Sequence, residues 1–351
     1  MENAGLRRRI VINLRERRPI WDMPEWALEE IRAAVPPDWE FVAIPEPADS
    51  RGDGGGVAPD VLRAVRGAEV YLGYGIPREL FESATAPPDG RLRWAHSGAA
   101  GVGGSLHDLM RASPVALTNS AGVHAEPIAD TVLAMVLHFA RGLDWAVRAQ
   151  ARGEWDPSPF LAADAPIREL GRSTLGIVGL GGIGRAVARR GAALGMRVVG
   201  TRRRSAEGPQ GVEVWTGDDA LERLLPVCDY LVLAAPMTER TRGMLGEREL
   251  ARLPRHAVVI NVGRGGVVDE EALAAALGDG RLRGAGLDVF AREPLPAGSP
   301  LWGLPNCLVT PHVSGTSHGF WRRETDLVVE NLRRYLAGAP LLNTVDKKAG
   351  Y

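Results

Sequence analysis

The segment Gly179-Leu180-Gly181-Gly182-Ile183-Gly184 fits the pattern G-x-G-x-x-G, and its flanks are the ones that pattern needs. An apolar β-type run, Thr174 to Val178, precedes it. A helical pattern with Ile183, Val187 and Leu194 on one face follows. In such a turn Gly179 permits the sharp bend, Gly181 lets the backbone approach a pyrophosphate, and Gly184 lets the helix pack on its strand. The free N–H groups at the helix start then attract the anion. The chemistry is dinucleotide binding.

The residue that reads the ribose stands at the end of the next strand, about 20 residues on. Here Thr201-Arg202-Arg203-Arg204 occupies that place, 22 residues beyond Gly179, and no acid is present. A 2'-phosphate carries roughly −1.5 to −2 charges. Guanidinium groups bind it through paired N–H donors, whereas a carboxylate would repel it. The expectation is NADP, with NAD as the alternative if these arginines are only a solvated cluster.

A carbonyl that accepts a hydride needs a proton donor for its oxygen and a cation to polarise it. Three segments at the ends of later strands supply such groups: Asn261-Val262-Gly263-Arg264-Gly265, Leu287-Asp288-Val289-Phe290 leading to Glu293-Pro294, and Thr310-Pro311-His312. The carboxyl ends of strands are where α/β sheets place ligands. Singly, each segment is ordinary, and a lone histidine after a strand is more often structural.

The elements that must position these groups alternate along the chain. Short β-branched runs at Ile10 to Leu14, Phe41 to Ile44, Val70 to Tyr74, Leu92 to Ser97 and Val115 to Asn119 are separated by helical stretches at Trp26 to Val35, Val61 to Val65 and Leu106 to Met110. A second series has strands at Thr174 to Val178, Met196 to Thr201, Tyr230 to Ala234, Val258 to Val262, Gly286 to Phe290 and Leu308 to Val313. This pattern predicts two α/β units with doubly wound parallel sheets. Between them Ile128 to Phe139 is apolar nearly all round and is expected to be buried, as a boundary helix between domains. A Pro- and Asp-rich loop, Trp155 to Pro166, follows it. The final helix, with Trp321, Val328, Leu332 and Tyr335 at helical spacing, is expected to return to the first unit.

The 351 residues exceed what one hydrophobic core usually holds. With 42 basic and 43 acidic side chains the net charge is −1, so nothing attracts nucleic acid or anionic lipid globally. The apolar stretch from Thr131 to Ala140 is about half of the ~20 residues a membrane span needs. Arg7, Arg8 and Arg9 run straight into Ile10-Val11-Ile12 and read as the flank of a first strand, not a transit peptide. Two cysteines, Cys228 and Cys307, are too few for a disulfide framework and point to the cytoplasm. His312, His318 and Cys307 meet no usual zinc spacing, so no metal is expected. His96, His107, His124, His138 and His256 read as packing or surface residues, and Trp321 as core or pocket lining. Arg51-Gly52-Asp53, in a glycine-rich loop from Asp49 to Gly56, carries no weight as an adhesion motif.

Taken together, the glycine turn and the Arg264, Glu293 and His312 segments resemble the D-isomer-specific 2-hydroxyacid dehydrogenase family. Further matches are Leu92-Arg93-Trp94 leading to Ala100-Gly101-Val102, Thr118-Asn119-Ser120-Ala121-Gly122-Val123, Pro236-Met237-Thr238 and Asn343-Thr344-Val345-Asp346. Arg264 and Glu293 are 29 residues apart, Glu293 and His312 a further 19, as in that family. The first ~90 residues match it only in rhythm.

The resemblance implies two Rossmann-like domains with the active site in the cleft between them: a substrate domain of residues 1–122 plus 319–351 and a dinucleotide domain of residues 123–318. It implies His312 as general acid/base, Glu293 as its partner, and Arg264 as the binder of the substrate carboxylate and carbonyl oxygen. A carboxylate beside an imidazole stabilises its protonated form, in agreement with those roles. It further implies cofactor contacts at Gly179, Gly181, Gly182, Ile183, Gly184, Thr201, Arg202, Arg203, Pro236, Val262, Asp288 and Thr131, with Asp288 on the nicotinamide carboxamide. Substrate contacts are implied at Ala100 and Gly101 besides Arg264 and His312. The implied protein is a homodimer that reduces a small 2-oxo acid, of the glyoxylate or hydroxypyruvate class, to the D-2-hydroxy acid.

Some positions depart from the family pattern. Gly103-Gly104 stands where Asp is usual, and Asp130 where Glu is common. Glu293 separates the chain from formate dehydrogenases, which carry Gln there. No regulatory segment is expected after Tyr351, unlike the long phosphoglycerate dehydrogenases. Two other readings are a dinucleotide-sensing corepressor-like binding protein and a dehydrogenase of a phosphorylated or inorganic substrate.

Overall fold

The computed structural model describes residues 7–48, 56–203 and 207–350. The Arg51-Gly52-Asp53 tripeptide and Arg204 lie outside them. The chain divides into two compact units, Met1–His124 with Thr316–Tyr351, and Ala125–Gly315. These borders fall two and three residues from those expected at 122 and 318.

In the first unit, β1 (Arg9–Asn13), β2 (Glu40–Ala43), β3 (Val70–Gly73), β4 (Trp94–Ser97) and β5 (Ala116–Asn119) form one parallel sheet in the order β2-β1-β3-β4-β5. Ile10, Val11 and Ile12 of β1 are all fully buried, because helices cover both faces and an alternating polar side has no place. The closing helix, Phe320–Leu336, packs against Glu25–Ala33 in this same unit. Trp321 belongs to that core.

The second unit holds β6 (Thr174–Val178), β7 (Arg197–Thr201), β8 (Val212–Trp215), β9 (Tyr230–Leu233), β10 (Val258–Asn261), β11 (Gly284–Leu287) and β12 (Cys307–Val309). They too are parallel, in the order β12-β11-β10-β9-β6-β7-β8. The order reverses at β6, between β7 and β9. That switch point opens a crevice at the carboxyl ends of the strands, and every candidate segment of this unit except Thr131, which lies on the helix Ala125–Ala140, follows such an end.

Several elements differ from the sequence expectation. β11 begins two residues earlier than Gly286, because its two glycines hide the β pattern. A Cβ on Gly284 would lie 2.5 Å from the Phe139 ring, and one on Gly286 2.7 Å from the Met135 sulfur. The missing side chains let the helix Ala125–Ala140 press onto the sheet. Burying Met135 and Phe139 there stabilises the unit by roughly 1.5–3 kcal/mol each. That helix packs on the helix Gly182–Ala193 and on β10, so its burial is explained within this unit, and Ala134 and Leu137 remain exposed. It is not apolar-buried all round.

β8 and the helices Arg78–Thr85, Leu143–Arg152 and Glu270–Gly278 add to the pattern read from the sequence. The helix after the glycine turn stops at Ala193, which leaves Leu194 beyond it, 43% exposed and off the buried face. No helix among the described residues is long and apolar enough to cross a membrane.

Candidate active site

At the end of β6 the chain turns at Gly179 with φ +99°, a conformation that L side chains rarely adopt. A Cβ there would stand 2.9 Å from the Ala235 backbone. One on Gly184 would lie 2.0 Å from the Gly179 carbonyl oxygen, so this glycine lets the helix close on the turn. Gly181 behaves oppositely: a Cβ on it would meet nothing within 4 Å. Its lack of a side chain therefore serves open space in front of the helix, not packing. The N–H groups of Gly182, Ile183 and Gly184 precede the first intrahelical bond, Arg185 N–H to the Gly181 carbonyl at 2.9 Å. Free donors, a helix start and open space fit a dinucleotide pyrophosphate.

Thr201 ends β7 buried, and its carbonyl accepts the Gly179 N–H at 3.1 Å, which ties the end of this strand to the turn. Arg202 is half-buried, with an Nε that has no hydrogen-bond partner among the described residues. Arg203 is exposed. An unsatisfied guanidinium N–H at this position fits an added phosphate. Pro236, past β9, is fixed by the Thr241 hydroxyl, which donates to its carbonyl at 2.7 Å.

The Arg264 loop follows β10. Asn261 closes it by donating from Nδ2 to the Arg264 carbonyl (3.1 Å) and accepting from the Gly263 N–H (3.2 Å). Val262 beside it is buried. Gly265 lets this loop abut the next one, since a Cβ there would fall 1.8 Å from the Phe290 carbonyl carbon. That contact brings Arg264 toward Glu293. The Arg264 side chain keeps an exposed surface, yet the protein around it lowers its pKa by desolvation, with the Glu293 charge opposing.

Glu293 is held at one oxygen by the Phe290 N–H (3.0 Å) and meets His312 Nδ1 at 2.6 Å with the other. An ionised carboxylate only accepts, so Nδ1 carries the proton. His312 Nε2 has no protein partner among the described residues, and the two side chains are 50% and 37% exposed. His312 itself has φ +55°, a left-handed conformation that costs on the order of 1–3 kcal/mol outside glycine.

Asp288, fully buried past β11, turns both oxygens toward the His312 turn, where Thr310, Val313 and Ser314 donate to it. The Thr131 hydroxyl donates to the Pro127 carbonyl (3.1 Å) and lies 3.5 Å from the Ser314 carbonyl. Ser314 did not stand out in the sequence, and Thr310 appeared there only as the start of the His312 segment. Their only signal is a position two residues to either side of His312.

Ala100 and Gly101 belong to the first unit, just past β4. Asn119 Nδ2 donates to the Ala100 carbonyl at 2.8 Å, and the Ala100 and Gly101 N–H groups have no protein acceptor among the described residues.

Residues 133–314 match the family model of the D-isomer specific 2-hydroxyacid dehydrogenase NAD binding domain. The chain belongs to the D-isomer specific 2-hydroxyacid dehydrogenase family. It is an NAD(P)-dependent oxidoreductase acting between 2-oxo and 2-hydroxy acids. This dehydrogenase is 37% identical over 292 residues to the glyoxylate/hydroxypyruvate reductase B of Yersinia enterocolitica, covering 82% of this chain and 87% of that one. It is 40% identical over 239 residues to the glyoxylate reductase of Korarchaeum cryptofilum, covering 66% and 69%.

Among solved structures it is similar to a D-isomer specific 2-hydroxyacid dehydrogenase from Xanthobacter autotrophicus in complex with NADPH and MES. The TM-score is 0.79 at 32% identity, over 98% of this chain and 100% of that one. The NADPH-dependent glyoxylate/hydroxypyruvate reductase of Sinorhizobium meliloti, in complex with NADP and sulfate, gives 0.75 at 29% identity over 98% and 100%.

Proposed function

We propose that this dehydrogenase reduces glyoxylate to glycolate or hydroxypyruvate to D-glycerate, with NADPH preferred over NADH. The observation that carries the reading is the His312–Glu293 pair at 2.6 Å, with His312 Nε2 unpartnered among the described residues and the Arg264 guanidinium within the field of Glu293. When bound, the nicotinamide supplies the hydride that adds to the carbonyl carbon. His312 delivers the Nε2 proton to the carbonyl oxygen, and Glu293 stabilises the imidazolium from Nδ1 until that transfer. Arg264 engages the carboxylate and the polarised carbonyl oxygen through two donors, which orients the acceptor carbon. We infer a second carboxylate-binding role for the free amides of Ala100 and Gly101.

Pro236, Val262 and Thr131 are proposed to line the nucleotide, the glycine turn to hold its pyrophosphate, and Thr201, Arg202 and Arg203 to read its ribose end. The relatives named as NADPH-dependent or complexed with NADP support the same nucleotide. Two free cysteines, Cys228 buried and Cys307 half-buried, fit the cytoplasm. The assembly we propose is a homodimer.

The test is a rate panel of NADPH and NADH against glyoxylate, hydroxypyruvate, pyruvate and phenylpyruvate. Glyoxylate and hydroxypyruvate with NADPH are expected to lead. His312→Ala and Arg264→Ala should each lose about 10²- to 10⁴-fold in kcat/KM while NADPH still binds. No turnover on any acid, with tight NADPH binding, would instead favour a nucleotide-sensing binding protein.

A further inference from the structure

The strand order of the first unit reverses at β1, between β2 and β3, so this sheet has a switch point of its own. Open α/β sheets bind ligands outside the carboxyl ends of their strands at such a point. The Ala100 and Gly101 amides stand on the same edge, past β4, two strands from β1.

The loops between them form one continuous rim. A Cβ on Gly98, past β4, would lie 2.8 Å from the Leu14 side chain past β1 and 3.3 Å from the Tyr74 ring past β3. The Tyr74 hydroxyl donates to the Trp21 carbonyl, which joins the β3 loop to the β1 loop. The β5 end of the edge is covered. There the Asn119 N–H donates to the Asn343 carbonyl (3.2 Å), and Asn343 Nδ2 donates to the carbonyls of Asn119 (3.2 Å) and Ala121 (2.7 Å). A substrate carboxylate at Ala100 and Gly101 thus leaves the rest of the molecule the β3 and β1 side.

Charge on this rim is confined to the β1 loop, with Arg15, Glu16, Arg17, Arg18 and Asp22, since residues 74–77 and 98–106 carry none. Arg15 Nε pairs with Asp22 at 3.0 Å, and Arg18 pairs with the buried Glu16 at 2.8 Å. Glu16 also accepts the Arg17 N–H (2.8 Å), and Asp22 accepts the Glu16 N–H (3.0 Å), so the loop is shaped by its own acids. The exposed Arg17 guanidinium has no acceptor among the described residues. Three arginines against two acids leave one positive charge, and Arg17 carries it. Glu46, past β2, lies across β1 from this rim.

Neighbouring strands are about 4.8 Å apart, which puts the ends of β1 and β4 roughly 10 Å apart along the edge. An arginine side chain and a short diacid together span that gap. One uncompensated cation matches the single charge of a carboxylate, not the roughly −1.5 to −2 of a phosphate.

We propose that Arg17 is a specificity-determining residue that binds a second carboxylate at the far end of the substrate, so that 2-oxo dicarboxylates join glyoxylate and hydroxypyruvate as substrates. The reaction is unchanged: hydride from NADPH goes to C2 and a proton to its oxygen, giving the 2-hydroxy dicarboxylate and NADP. The proposal rests on that reduction chemistry and widens its substrate class.

The experiment measures kcat and KM with NADPH for two pairs of equal carbon number, 2-oxosuccinate against 2-oxobutyrate and 2-oxoglutarate against 2-oxopentanoate. It compares the wild type with Arg17→Lys, Arg17→Gln and Arg17→Glu. The wild type should favour at least one dicarboxylate by about fivefold or more in kcat/KM, the upper worth of a solvent-screened ion pair. Salt should shrink that ratio. Arg17→Gln should abolish it through KM, Arg17→Glu should invert it, and Arg17→Lys should keep most of it.

Equal rates within both pairs in the wild type overturn the proposal, and so does a dicarboxylate preference that survives Arg17→Gln and Arg17→Glu. Failure of the underlying reading looks different: the wild type would then turn over none of these acids, nor glyoxylate or hydroxypyruvate, and both fall together. Turnover of the monocarboxylates without a dicarboxylate preference removes the Arg17 site alone.

Discussion

The proposed preference for NADPH turns on one atom of Arg202. Its Nε is buried without a partner among the described residues, a condition that costs about 1–3 kcal/mol unless something occupies the site. A 2'-phosphate would satisfy it, and a bare ribose hydroxyl would not match its charge. Arg202→Ala should lower kcat/KM for NADPH by about 10- to 100-fold and leave NADH within about threefold, a charge-assisted bond being worth about 1.5–3 kcal/mol. An equal loss for both nucleotides, measured in the same assay, removes the assignment.

The proposed roles of Arg202, Arg264, Glu293 and His312 were legible in the sequence, because they rest on residue type and place after a strand. The bonding of Asp288 was not. It depends on a positive φ at His312, which no propensity of histidine signals.

At the scale of elements, the glycine turn gives two substitutions with opposite signatures. Gly181 has an extended backbone, φ −78° and ψ −160°, and a Cβ there meets nothing, so Gly181→Ala should keep Tm within about 1–2 °C. The same methyl would stand where the pyrophosphate approaches, and the NADPH Kd should rise at least about tenfold. Gly184→Ala drives its methyl into the Gly179 carbonyl and should lower Tm and weaken binding together. Calorimetry with nucleotide titration reads both, and a cold-stable Gly184→Ala or a binding-competent Gly181→Ala counts against this reading of the turn.

The elements themselves followed from apolar rhythm wherever a strand is built from Val, Ile and Leu. The rhythm failed at β11, where close packing by Met135 and Phe139 required glycine instead.

One ion-paired element also fixes a pH dependence. Glu69, just before β3, accepts from Arg8 Nε at 2.8 Å and from the Tyr335 hydroxyl at 2.7 Å, tying the first strand's flank to the closing helix. The Arg8 hydrogen bond holds its carboxyl below the usual glutamate range, with burial opposing. A depressed carboxylate stabilises the fold above its unfolded pKa and loses that contribution as pH falls through its folded value. Glu69→Gln should therefore cost about 1–2 kcal/mol at pH 7 and less at pH 3, below the usual glutamate range. Urea midpoints at the two pH values check this, and an equal cost at both removes the pair as its source.

At the scale of the whole molecule, the two parallel α/β sheets followed from the alternation of elements, while their strand orders emerged only in the structure. What the alternation does not encode is assembly, and here the surface speaks. The helix Leu143–Arg152 places Leu143 and Val147 four residues apart on one face, 46% and 58% exposed. The segment after it exposes Trp155 at 97% and Leu161 at 77%. Single exposed apolar residues are ordinary, but four large ones within 19 residues, one of them a bare tryptophan, need a cover.

A second copy of the chain is the cover proposed here, since a two-fold contact lets the same patch meet itself. Tryptophans buried at interface centres are worth about 2 kcal/mol or more, a roughly 30-fold change in dissociation constant. Trp155→Glu combined with Val147→Glu should therefore turn a wild-type dimer into a monomer at micromolar concentration, as read by sedimentation equilibrium. Tm of each unit should hardly change, because neither side chain contributes to a core. If the wild type already sediments as a monomer, the exposed tryptophan serves something other than self-association.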